Sequence, residues 1–236
     1  MNILRGNLME RIKTGIEGLD EMLKGGIPKR RHVTINGGPG CGKTSFAFEY
    51  IYKGAKMDDP GVYITLEESP EGIIENMKDT FPLFNDVEKL IEEKKMEIVK
   101  PETLDLEGVS GILEDRILNE GMQRVVIDSI TIMKAVSGGE TEYRQVFFEF
   151  LSLLKGLDCT SLTTLEAPEA GKEAVKFGIE HFVMDGIINL YNLDRGDKRI
   201  RALEIFKMRA TNHSREIVPF KVTPSGIKVF AGEKVF

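Results

Sequence analysis

The chain has 236 residues, 38 of them acidic and 32 basic, for a formal net charge of −6. That length suits one large α/β domain better than two small ones, and the acidic balance argues against non-specific nucleic-acid binding over the whole surface. No apolar run approaches membrane-spanning length and no signal-peptide pattern opens the chain. With Cys41 and Cys159 as the only cysteines, a reducing cytoplasm is the expected compartment. Two glutamines against abundant Glu and Lys follow a thermophile-type bias.

Residues 1–8 read as a loose extension, which leaves 9–236 as the expected domain. Between Thr14 and Pro28, a short helix around Leu19, Met22 and Leu23 is stopped by Gly25 and Gly26. Lys29, Arg30 and Arg31 form a basic cluster, for which a solvated surface and a nucleic-acid contact are both open readings. A β-branched run, His32 to Asn36, then leads into Gly37 to Thr44, which reads G-x-x-x-x-G-K-T. Glycines allow backbone conformations closed to residues with a Cβ, so the N–H groups turn inward at the positive end of the following helix and cradle phosphate. The spacing places the Lys43 ammonium on the terminal phosphates and the Thr44 hydroxyl on Mg²⁺. The expected nucleotide-binding set is Gly38, Pro39, Gly40, Cys41, Gly42, Lys43, Thr44 and Ser45, with Cys41 filling the loop as a small side chain.

Beyond the loop, Ala47, Tyr50, Ile51 and Ala55 fall on one helical face. Val62 to Leu66 reads as a buried strand ending at Glu67 and Glu68, and Ser69-Pro70 as a helix start. An exposed helix is expected from Asp86 to Lys95 and a short strand from Met96 to Val99. Val109, Ile112, Leu113 and Ile117 mark another helix. Arg124 to Asp128 is a compact strand ending in an acid. A helix carrying Tyr143, Phe147, Phe150 and Leu154 stops at Gly156, and Cys159 to Leu165 is a strand ending at Glu166. Strands alternating with helices imply an α/β fold with a mostly parallel central sheet covered on both faces. From Ile187 onward the strands follow one another without helices, which predicts an antiparallel extension of that sheet.

In open α/β sheets ligands bind beyond the carboxyl ends of the strands. Four strands end there in the phosphate loop, in Glu67/Glu68, in Asp128 with Ser129, and in Glu166. Asp128 fits the acid that orients Mg²⁺ through water, and the glutamate pair fits a base for water attacking the γ-phosphate. Neighbouring strand residues point to opposite sides, so only one of Glu67 and Glu68 faces the phosphate. Glu166 reads equally as a nucleotide sensor or a loop support. Lys207 and Arg209 lie two apart on a strand and so share a side; a clamp on phosphate charge and an ion pair with a nearby acid both fit that spacing.

Taken in order, TGIEGLDEMLKGGIP, GGPGCGKT, YITLEESPE, VVIDS, TTLE, GIEHFVMDG, LEIFKMRATNH and GIKVF resemble the single-domain KaiC-like branch of the RecA/RadA superfamily. The resemblance spans most of the chain and is most specific in the EE pair followed by SPE and in the KxR before TNH. It implies a RecA-like P-loop NTPase core and ATP hydrolysis between subunits of a homo-oligomer, commonly a hexameric ring. It also implies Glu67 as catalytic base ahead of Glu68, with Lys207 and Arg209 as fingers reaching a neighbour's ATP. Room for one such domain, without a C-terminal phosphorylation region, makes a circadian autokinase an unlikely identity. The stretches corresponding to recombinase DNA-binding loops, near Ser137 to Gln145 and Ala167 to Gly178, are short and not basic. The leading expectation is a Mg²⁺-dependent ATPase. Its alternatives are a nucleotide-gated single-stranded DNA-binding recombinase paralogue, drawing on Lys29 to Arg31 and on Arg195, Lys198 and Arg199, and a low-turnover ATP-dependent switch with a protein partner.

Overall fold

The computed structural model describes residues 9–166 and 178–235; the expected extension at 1–8 and most of the stretch 167–178 lie outside them. β1 (Arg11–Ile12) and β2 (Ile27–Pro28) flank α1 (Leu19–Met22) and pair with each other. β3 (His32–Gly37) leads into α2 (Lys43–Lys56), and β4 (Gly61–Thr65) into α3 (Pro70–Thr80) and α4 (Val87–Glu92). β5 (Met96–Val99) leads into α5 (Leu106–Glu114), and β6 (Arg124–Asp128) into α6 (Thr131–Val136) and α7 (Glu140–Gly156). β7 (Thr160–Glu166) and α8 (Ile179–Val183) precede β8 (Gly186–Asp194), β9 (Arg199–Met208), β10 (Val218–Thr223) and β11 (Gly226–Val229).

Nine strands form one sheet in the order β11-β10-β9-β8-β3-β7-β6-β4-β5. The pairs from β8 through β3, β7, β6 and β4 to β5 are parallel, and β8–β9, β9–β10 and β10–β11 are antiparallel. The expected antiparallel extension is therefore present but starts one strand later, because β8 runs parallel to β3. Parallel neighbours need a crossover between them, and here it includes α8, whose five residues are too few to show helical periodicity.

Period-two alternation gives each strand two working faces. In β4, Tyr63 joins the core built with α1, α2, α3 and α4, while Val62 and Ile64 join the core under α5, α6 and α7. Local chemistry sets the helix starts: Ser69 accepts from Gly72 N (3.1 Å) ahead of Pro70, and Asp105 accepts from Gly108 N (3.0 Å). Arg124, 1% exposed, is the largest fully buried side chain. It donates to Asp59 (2.6 and 3.0 Å), to the Tyr50 and Lys13 carbonyls (both 3.0 Å), and lies 4.4 Å from the Tyr50 ring centroid. One guanidinium thus ties α2, the loop before β4, β6 and the N-terminal segment together. Gly54 is what makes room for it, since a Cβ there would stand 2.4 Å from Arg124 Nε.

Glu49 on α2 is also buried, 1% exposed, and accepts from Ile227 N at 2.7 Å across to β11. Burial pushes its pKa up from near 4.5 to about 7, against the pull of the Ile227 N–H and Lys53. Its proton is thus kept in the folded state and lost in the unfolded state over that interval. The associated stability is full below about pH 4.5 and is lost as pH rises through about 7. Glu49→Gln keeps an acceptor for Ile227 N and does not titrate. The stability difference between variant and wild type is expected to move in the variant's favour by about 3 kcal/mol from pH ~4 to pH ~8, read from urea unfolding at each pH. A constant difference would show that Glu49 is not the titrating group.

Candidate nucleotide site

The loop after β3 turns through Gly40 (φ +71°) and Gly42 (φ +100°), and α2 starts at Lys43 with Gly42 as its left-handed cap. At these two positions the demand is conformational, since a Cβ would meet nothing within 4 Å. Gly37 is required for a different reason: a Cβ there would stand 2.4 Å from Cys41 Sγ and 2.8 Å from Leu190 O. The loop is thus packed tightly at its root and open at its mouth, where Pro39 and Gly40 are exposed. Lys43 Nζ donates to the Gly37 and Gly38 carbonyls (3.0 and 3.2 Å), holding its ammonium at the loop. Thr44 and Ser45 open α2 beside it and are half-buried. Cys41 is buried and its thiol pKa is raised by burial, consistent with a packing side chain.

The strand register carries the expected acids to the same edge. Glu166 is paired with Gly37, and Asp128 with Thr65. Asp128 accepts from the Tyr63 and Thr164 hydroxyls, one on each oxygen. Burial, with the Asp128 carboxylate beside it, raises the Tyr63 pKa well above its ordinary value, so this phenol stays a donor. Two of roughly four carboxylate lone-pair sites remain, an arrangement suited to holding metal-bound water. Among the described residues no three His, Cys, Asp or Glu side chains form a metal cage. The donors at this edge, a threonine hydroxyl and one carboxylate, fit a Mg²⁺ that keeps several waters and binds phosphate oxygens.

Glu67 and Glu68 diverge. Glu67 Oε1 accepts from Ser129 Oγ (2.5 Å), at the end of β6, whereas Glu68 Oε2 accepts from Asn76 Nδ2 (3.1 Å) on α3. Glu67 therefore stands on the Asp128 side of the edge and Glu68 leans away. The Glu166 side chain is exposed, and its N–H donates to Thr131 Oγ1 (2.9 Å). The sequence placed Ser129 at this strand end but gave no sign of the supporting hydroxyls of Tyr63 and Thr164, or of Arg201. The Arg201 guanidinium reaches Gly40 O (3.4 Å) from β9. Only the sheet register brings these groups to the loop.

Lys207 and Arg209 lie elsewhere. Lys207 pairs with Ile187, itself paired with Thr34, and Arg209 follows Met208, at the level of Val33. Both are therefore about 10 Å or more back along the strands from Gly37, toward the amino ends of the parallel strands. They do share a side, since both donate to Phe182 O (3.1 and 3.4 Å). Lys207 also donates to His181 O (3.2 Å), and burial, with Arg209 alongside, lowers its pKa. Arg209 pairs with Asp185 (3.2 Å). The basic cluster before β3 is paired too: Lys29 with Glu10 (3.4 Å), Arg30 with Asp158, and Arg31 with Asp185 (3.8 Å).

The profile of the KaiC ATPase family matches residues 12–234. The chain belongs to this family. It is 36% identical to a UPF0273 protein of Thermotoga maritima, over 96% of this chain and 98% of that one. It is 34% identical to the circadian clock oscillator protein KaiC 1 of Synechocystis, over 94% of this chain but only 44% of that protein. Among solved structures, a KaiC-like protein from Pyrococcus horikoshii superposes with a TM-score of 0.84 at 34% identity, covering 94% of this chain and 99% of that one. The fold is thus the RecA-like fold of KaiC proteins, and ATP binding with ATPase activity is the general property of the family.

Gly37→Ala tests the packed root of the loop. Its methyl group collides with Cys41 and the Leu190 carbonyl, so ATP affinity is expected to fall about tenfold or more, measured by titration with a fluorescent ATP analogue. Unchanged affinity would show that the loop does not need its present root to bind nucleotide.

Proposed function

We propose that residues 9–236 act as one Mg²⁺-dependent ATPase domain that works as a homo-oligomer, each site completed by a neighbouring copy. The observation that carries this reading is the separation of the site into two groups. The phosphate loop, Glu67 and Asp128 gather at the carboxyl ends of the strands, while Lys207 and Arg209 lie about 10 Å or more back along them and are engaged by Phe182 O and Asp185 rather than by their own loop.

In this reading the loop amides from Gly38 to Ser45 and the Lys43 ammonium hold the phosphates. Thr44 and, through water, Asp128 hold Mg²⁺, which neutralises charge on the β- and γ-phosphates when bound. Glu67, its rotamer set by Ser129, orients a water and takes its proton. Glu68 is engaged by Asn76 of α3, and the Glu166 N–H donates to Thr131 Oγ1. The partner's copies of the cations at positions 207 and 209 enter beside the γ-phosphate and meet the charge that develops there. A head-to-tail contact of this kind closes into a ring when its rotation permits, and six copies is the expected size. The two buried thiols and the absence, among the described residues, of a helix long and apolar enough to cross a membrane suit a cytoplasmic protein. Pairing of Lys29, Arg30 and Arg31 with acids leaves little at that cluster for a DNA strand, and the single-strand-binding alternative takes no support from it.

The test is molecular mass in solution with and without Mg·ATP, recorded together with phosphate release. Glu67→Gln and Arg209→Ala are each expected to lower turnover about 100-fold or more. Mixing the two should restore part of it, because a mixed interface pairs an intact Glu67 with an intact Arg209. Full turnover in either single variant would overturn the mechanism. Assembly on ATP with almost no phosphate release in the wild type would favour the low-turnover switch instead.

A further inference from the structure

Asp185 is the most crowded charge at the end of the strands away from the phosphate loop. Its side chain is 3% exposed. Oδ1 faces Arg209 Nη1 at 3.2 Å and Arg31 Nη1 at 3.8 Å, and Oδ2 accepts from His32 N at 3.3 Å. The backbone around it is pinned, with Asp185 N donating to His32 O and Arg209 N donating to Asp185 O, both at 2.9 Å. The two arginines differ. Arg209 is half exposed, whereas Arg31 is the more sheltered, and its Nε is buried with no hydrogen-bond partner among the described residues.

A buried carboxylate stripped of its only cation is among the costliest local events in a protein. If Arg209 alone balanced Asp185, that cost would tie the arginine down and keep it from reaching a second copy. Arg31 removes the obstacle. Its Nη1 already stands 3.8 Å from Oδ1, so one short movement converts a loose ion pair into a charge-assisted hydrogen bond. We propose that Asp185 is a parking site for Arg209, and that Arg31 takes over the carboxylate when Arg209 swings out to the nucleotide of a neighbouring copy. Arg31 and Asp185 are then positioning residues, and the Arg31 of the basic cluster has its use here. The proposal rests on the reading of Arg209 as a group acting on a neighbour.

Steady-state turnover of the full chain with Mg·ATP tests it, with Arg31→Gln, Asp185→Asn, the double variant and Arg209→Ala, each checked for folding by thermal melting. Arg31→Gln would leave Arg209 locked on a carboxylate with no substitute, lowering kcat about tenfold or more with KM for ATP unchanged, since the chain's own loop lies at the other end of the strands. Asp185→Asn frees Arg209 and should raise kcat severalfold. The double variant should match Asp185→Asn, a rescue that a purely structural role for Arg31 would not produce. The exchange is overturned if Arg31→Gln turns over like wild type, if the double variant is no faster than Arg31→Gln, or if Asp185→Asn is equal to or slower than wild type. Should Arg31→Gln fail to fold, the comparison of Asp185→Asn with wild type decides. Full turnover in Arg209→Ala would instead sink the underlying reading, whatever the other variants do.

Discussion

β3 is paired in parallel along its length with β7 on one side and β8 on the other, and that double pairing sets where every group of the site stands. Parallel pairing puts the carboxyl ends of β3, β4, β6 and β7 at one edge, so the phosphate loop, Glu67, Asp128 and Glu166 share it. The antiparallel return of β9 against β8 carries Arg201 up to the loop and Lys207 away from it on a single strand. One register therefore decides both what a chain brings to its own phosphates and what it offers outward.

The face of β3 turned toward α8 is unusually polar for the centre of a sheet. His32 bonds to Ser161 (3.0 Å), Thr34 to Thr163 (3.2 Å), and Asn36 to His181 (3.0 Å). Each of these three side chains has a partner on a neighbouring element, which offsets the cost of burying it, although Asn36 Oδ1 is left without one among the described residues. Burial lowers the His32 pKa to about 4, so the imidazole is neutral near pH 7 and makes its bond to Ser161 without a buried charge. The other face of the same strand is conventional, with Val33 and Ile35 in the apolar core. The strand is thus held by packing on one side and by paired hydrogen bonds on the other, and both resist a slip of register.

Two groups of charged side chains stand at different levels of the same sheet. The carboxyl ends of the parallel strands carry the loop and the carboxylates, and the level nearer their amino ends carries cations held by main-chain carbonyls and one buried acid. Two carbonyls restrain Lys207, and a carboxylate shared with Arg31 restrains Arg209.

The parts of this protein legible in its sequence are those whose physics is local. A loop that needs left-handed backbone at Gly40 and Gly42, a serine cap before Pro70, and strands of alternating or continuous apolar residues each depend on neighbours a few positions away. For that reason the phosphate loop, the α/β alternation and the acids at strand ends could be read directly. The spacing of Lys207 and Arg209 showed that they share a side, but not at which end of the parallel strands they stand. Tertiary structure alone decided that Glu67 is the one beside Asp128 and Ser129, the hydroxyls that hold Asp128, the parallel placement of β8, and the meeting of Arg209 with Asp185 and Arg31. These depend on strand register and on contacts between residues 24 to more than 150 positions apart, where no local preference acts and only the packed sheet brings the partners together.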